Sequence, residues 1–223
     1  RSVSLLNFTE DADADASFFR KMHLMNMPGG SSIHFIDNSE SNSLTNSGTI
    51  QTETTGNYGQ AIHVENTNLT EITNSSGGVI KVTDSALNSG AIRVSGSSSV
   101  NSITNNETIS AVGTTHSRGI ISINSATIDR VTNTGTISAS GASNSNYGIV
   151  FWNNSGTTVT NSGTIQGTGG NYSYGIRLGD NGSISTIKNT GTIKGGKDGI
   201  SNSGNVTNIV NTGTITGTSG YGI

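Results

Sequence analysis

Few residues in this chain could do chemistry, and their local spacings assemble no catalytic pattern. Gly191-Thr-Ile-Lys-Gly-Gly196-Lys197 has the spacing of a phosphate-cradling GxxxxGK loop. Such a loop needs a hydroxyl after the lysine to hold magnesium, and a helix behind it. Here Asp198 stands after the lysine and the strand-like Gly199-Ile200 follows. His23, His34, His63 and His116 share no HxxxH or HExxH spacing, and there is no cysteine to supply a thiolate. Asp11, Asp13 and Asp15 mimic the start of a calcium loop. Ala16 occupies the turn-glycine position and Met22 the position of the bidentate glutamate, so they read as a solvated acidic run. No GxSxG elbow is present. The sequence therefore assigns no catalytic residue, no cofactor-binding residue and no metal ligand.

Aromatic side chains are the better candidates for binding. Trp152 is the single tryptophan, and Tyr147, Tyr172 and Tyr174 lie close to it in sequence. Four such rings could form a platform for a sugar or a protein surface, since each offers a large apolar face and a polar tip. These four residues are the expected contact surface. A platform needs elements to hold it, and composition says little about which. Ser, Thr, Asn and Gly make up more than half of the 223 residues, while only 11% are charged and 5% aromatic. That composition alone permits disorder. The net charge of −3 argues against nucleic acid or an anionic membrane as partner. No apolar run is long enough to span a bilayer, so direct membrane insertion is not expected.

Order comes from a repeat. The phrase LTNSGTI ends at Ile50, ITNNETI at Ile109, VTNTGTI at Ile137, VTNSGTI at Ile165, IKNTGTI at Ile193 and IVNTGTI at Ile215. A copy with two extra residues, ITNSSGGVI, ends at Ile80. A Gly/Ala-Ile phrase follows each copy, around Ile62 and Ile92, as RGIISI, and around Ile149, Ile176, Ile200 and Ile223. A third, weaker apolar pair precedes five of the asparagines: Leu69 and Ile72, Val100 and Ile103, Ile128 and Val131, Ile184 and Ile187, Val206 and Ile209. Each unit thus holds three short pieces rich in Ile, Val and Thr, separated by small polar turns. A unit this short cannot bury its apolar side alone, but coiling stacks each piece on its equivalent one turn later. The expected fold is all-β: a right-handed parallel β-helix of about seven three-strand coils, rising about 4.8 Å per coil.

Asn46, Asn74, Asn105, Asn133, Asn161, Asn189 and Asn211 recur at one point of the unit. Stacked in register, their amides can bond from coil to coil as a ladder. The following Asn-x-Gly is read as a corner in left-handed geometry, which leaves Glu107, the substitute for one glycine, in solvent. The connector between the Asn phrase and the next Gly-Ile phrase varies in length, so binding is expected on that side. The outward column through Trp152 is read as Glu65, Ser95, Asn124, Trp152 and Gly179. Asp84, Asp129, Asp180 and Asp198 fall beside the Gly-Ile strands at differing offsets, with no aligned pair for acid–base work. An outward Thr column (Thr49, Thr108, Thr136, Thr164, Thr192, Thr214) is single, not the two-wide array that ice would need.

Residues 1–43 do not repeat and carry the whole net charge. They are expected to cap the solenoid, with a short apolar-faced helix over residues 17–27 and a first strand at Ser31–Ile36. Residues 44–223 form the repeats, and the solenoid is expected to continue past Ile223.

Reiterated N-[ST]-G-T-I followed by Y-G-I, without cysteine and with little charge, resembles the passenger region of Gram-negative autotransporters. The resemblance covers about residues 44–223. It implies a β-helix secreted through an outer-membrane barrel and displayed at, or released from, the cell surface. Adhesion, aggregation or self-association is the implied role, with the chain itself or surface glycans and proteins as partners. No catalysis and no cofactor are expected. The alternatives are a polysaccharide-acting β-helix enzyme or a carbohydrate-binding solenoid, and, less directly, an ice-binding or toxin-type passenger.

Overall fold

A computed structural model describes residues 6–7, 31–36, 42–53, 57–83, 87–142, 144–154 and 157–223. Every regular element among them is a β-strand, and the strands form three sheets. The Asn phrase supplies one sheet, from Asn42–Asn46 and Asn68–Asn74 through Ser99–Asn105, Thr127–Asn133, Thr157–Asn161 and Ser183–Asn189 to Asn205–Asn211. The closing Thr-Ile pieces supply a second, from Thr49–Thr52 to Thr214–Gly217. The third, the Gly-Ile sheet, runs from Ser31–Ile36 through Tyr58–Glu65, Asn88–Ser95, His116–Ser122, Ser145–Phe151 and Tyr172–Leu178 to Ile200–Asn202. Neighbours in each sheet are parallel and one coil apart, which is the β-solenoid the repeat requires. Ser31–Ile36, placed by sequence within the non-repeating segment, pairs in parallel with Tyr58–Glu65 and so opens the Gly-Ile sheet. Leu6–Asn7 is the exception in direction, pairing antiparallel with Asn42–Asn46. The helix expected over residues 17–27, and Asp11, Asp13, Asp15, His23 and Asp84, lie outside the described residues.

The closing isoleucines form a core column. Ile109 pairs with Ile137, Ile137 with Ile165, Ile165 with Ile193 and Ile193 with Ile215. All but the last are buried, together with the inward residues of the other two sheets. Burying each such side chain is worth roughly 1.5–3 kcal/mol, so the apolar columns drive the coil together. The glycines of the Gly-Ile phrase set how tightly. A Cβ on Gly148 would lie 2.8 Å from Ile165 Cγ2 and 2.6 Å from the Gly175 carbonyl.

The asparagines secure the corner. Asn46, Asn74, Asn105, Asn133, Asn161 and Asn189 are buried, and each Nδ2 donates to the Oδ1 of the next at 2.7–2.8 Å. The same Nδ2 reaches backbone carbonyls; that of Asn133 reaches Gly135 O at 3.0 Å and Thr164 O at 3.1 Å. Asn211, in the last Asn strand, is exposed. The corner itself is where the sequence placed it, but its glycine serves another purpose. Positive φ occurs at Asn66, Gly96, Asn124, Ser125, Asn153 and Asn181, at the turn between the Gly-Ile and Asn strands, at Gly169 and Gly170 before Tyr172–Leu178, and, among the described Asn corners, at Gly77 in the enlarged copy. At the Asn-x-Gly corner the coils touch backbone to backbone. A Cβ on Gly163 would lie 2.1 Å from Gly135 O, and one on Gly191 2.2 Å from Gly163 O. At Gly135, Gly163, Gly191 and Gly213 close approach, not left-handed geometry, excludes a side chain, whereas Gly77 in the enlarged corner takes the left-handed geometry expected. Glu107 is half-buried instead of free in solvent, and it stacks on the enlarged corner at residues 75–78.

Replacing Asn161 by leucine removes a donor and an acceptor from the buried ladder and leaves the Asn133 and Asn189 amides short of a partner. A loss of about 1–3 kcal/mol in chemical denaturation is expected; unchanged stability would mean that the ladder carries no load.

Candidate functional surface

The outward face of the Gly-Ile sheet gathers the chain's rings and cations. Strand alternation puts every second residue outside, and the parallel register lines these up into columns. One column runs Gln60, Gly90, Arg118, Tyr147, Tyr174. The next runs His34, His63, Arg93, Ile121, Val150, Arg177, Ser201. A third passes through Glu65 and Ser95 to Ile123 and Trp152. The column differs by one residue from the expected one. Ile123, not Asn124, precedes Trp152, because the Ile123 amide donates to Val94 O and the Trp152 amide to Ser122 O. The adjacent Ile120 and Ile121 made the phase ambiguous; Ile120 faces the core and Ile121 points outward.

Ile121, Val150, Tyr147 and Tyr174 form a second apolar cluster, separate from the core, with Ile123 and Trp152 packed against it. Tyr147 stacks on Tyr174 with centroids 5.6 Å apart and meets Trp152 edge-on at 6.0 Å. The Arg118 guanidinium lies over Trp152 at 5.4 Å and that of Arg177 over Tyr174 at 5.5 Å. Trp152 also leans over the following coil, where a Cβ on Gly179 would lie 1.6 Å from its Cδ1. Three of the four expected contact residues are therefore one assembly. Tyr172 stands on the same face two residues before Tyr174, exposed, with Lys197 5.1 Å over its ring. Tyr58 shares that outer column, not the one holding Tyr147.

The cations on this face have little counter-charge. Among the described residues the one contact at ion-pair distance is His34 Nε2–Glu65 Oε2, at 3.2 Å, a hydrogen bond that becomes an ion pair only when the imidazole is protonated. Arg118 Nε is shut off from solvent with no hydrogen-bond partner. Burial, with Arg93 adding to it and Tyr147 opposing, holds the Arg118 pKa at about 10, so the group stays charged at neutral pH. Gln60, Asn88, Ser89, Gly90, Arg93, Arg118 and Ile121 line a shallow depression beside it. The outward Thr column is half-exposed or exposed, and its neighbour reads Gln51, Lys81, Ser110, Ser138, Gln166, Lys194 and Thr216, a mixed row.

Local spacing missed one cluster. His34 and His63 sit 29 residues apart, which is one coil, and their rings stack with centroids 4.5 Å apart and an interplanar angle of 5°. His34 Nε2 meets Glu65 Oε2 at 3.2 Å, and His63 Nε2 meets Ser95 Oγ at 2.8 Å. Burial first, then the His34 and Arg93 charges, lower the His63 pKa to about 3.

No family model, no curated protein and no solved structure matches this chain.

Two outcomes are expected from this geometry. In Gly179→Ala the new methyl must displace the only tryptophan, so its emission should shift to the red while the far-ultraviolet spectrum stays that of a β-solenoid; an unchanged emission maximum would contradict the packing. His63 binds a proton more readily unfolded (6.5) than folded (about 3). Its contribution is complete above pH 6.5 and lost as pH falls from there toward 3. Thermal midpoints across that window should fall less steeply in His63→Gln than in the parent chain.

Proposed function

We propose that the chain is a contact module: a stiff β-solenoid of the autotransporter-passenger kind, displayed on or released from a Gram-negative surface. On this reading it acts by adhesion, aggregation or self-association and performs no catalysis. The observation that carries the reading is the outward face at Arg118, Tyr147, Trp152, Tyr174 and Arg177. Its rings are clamped from three consecutive coils and its cations lack carboxylate partners. Rings held in this way lose little freedom when a partner arrives, and aromatic and arginine side chains dominate binding energy at interfaces. The described connectors at residues 114–115 and 169–171 lead directly into His116–Ser122 and Tyr172–Leu178, beside this face. A carbohydrate-binding solenoid is the alternative that the ring cluster favours, and surface glycans would then be the partner.

The test is to measure binding of the chain and of Trp152→Ala to immobilised neutral and acidic polysaccharides, with sedimentation across concentration for self-association. Retention of a polysaccharide, or association with itself, should weaken about tenfold or more in the variant. Shortened or unsaturated polysaccharide products would overturn the reading in favour of an enzyme. Contact untouched by Trp152→Ala would place the surface elsewhere.

A further inference from the structure

We propose that His34, His63 and Glu65 bind a first-row transition metal ion of the zinc class, bridging the first two strands of the Gly-Ile sheet. This goes beyond the contact reading and does not depend on it. Parallel pairing puts His34 directly beside His63, and Glu65 follows two residues later on the same outward face. One donor atom from each side chain lies within 4.8 Å of the others, and all three residues keep access to solvent. Elsewhere in the column the positions pass to Arg93, Ile121, Val150, Arg177 and Ser201, so this donor set occurs at one level of the coil.

Two imidazole nitrogens and one carboxylate oxygen suit Zn2+, Cu2+ or Ni2+; Ca2+ and Mg2+ want oxygen alone. A tetrahedral ion with bonds of about 2.1 Å holds its donors roughly 3.4 Å apart. His34 Nε2 and Glu65 Oε2, at 3.2 Å, already meet that spacing. The His63 donor, within 4.8 Å of the other two, reaches that spacing by side-chain rotation, a movement that leaves the ladders intact. Three protein ligands leave a fourth position open to water or an incoming ligand. The opposing force is Arg93, the next residue in the column after His63. Arg93 repels an incoming cation and attracts the Glu65 carboxylate without bonding it, so removing the arginine favours the ion.

The experiment is calorimetric titration of the chain, carrying no histidine tag, with ZnCl2 at neutral pH. One ion per chain is expected, and His34→Gln and Glu65→Gln should each weaken binding at least about tenfold. Arg93→Gln should tighten it several-fold, and His116→Gln should leave it unchanged. Zinc should raise the thermal midpoint of the parent chain and not of His34→Gln, whose half-exposed side chain can be lost without opening the core; its far-ultraviolet spectrum checks the fold. No binding up to millimolar zinc, equal affinity in His34→Gln, or equal binding of CaCl2 would overturn the assignment.

Discussion

Parallel register between successive coils is the constraint from which the rest of this structure follows. Every outward or inward position faces its own equivalent about 4.8 Å away along the axis, so a residue type must tolerate a copy of itself. Isoleucine does, by stacking in the core. Asparagine does, because one amide is both donor and acceptor and each Nδ2 finds the next Oδ1. Glycine does where backbones meet, as at Gly135, Gly163 and Gly191. Charged residues do not. Two like charges at that spacing repel by roughly 1 kcal/mol even in water, and by more where partly buried. The scarcity of charge thus follows from stacking, and it makes the positions where cations and rings do collect informative.

The outward face of the Gly-Ile sheet is such a place. Its cations take different columns or are separated by apolar residues: Arg93 and Arg177 share a column but have Ile121 and Val150 between them, while Arg118 lies in the next column over. Tyr147 and Tyr174 can stack because aromatic rings, like asparagines, are compatible with their own copies. His34 and His63 stack for the same reason, with the Glu65 carboxylate beside them. The scaffold's rule of self-compatibility therefore also shapes the surface that it presents.

The three-strand unit, the core column and the Asn positions were legible because each is a period of 22 to 30 residues written in residue type. Other features were hidden by physics that periodicity does not carry. Left-handed geometry, the expectation for the glycine after each asparagine, holds at Gly77 in the enlarged corner; at Gly135, Gly163, Gly191 and Gly213 the reason is a carbonyl of the preceding coil, a contact visible only once coils are stacked. Ile120 and Ile121 allow two phases for the outward column, and only the hydrogen bonds place Ile123, not Asn124, beside Trp152. The His34–His63 pair escaped motif reasoning, which looks for ligands three or four residues apart; in a solenoid, residues one coil apart are the true neighbours.

The claim that each coil is held by its two neighbours through equivalent contacts is tested most directly by removing one. Deleting residues 138–165 joins Ile137 to Gln166 and brings Tyr172–Leu178 onto His116–Ser122. The shortened chain should fold cooperatively into the same solenoid, shorter by about 4.8 Å in small-angle scattering. Global loss of β-structure after that deletion would contradict it.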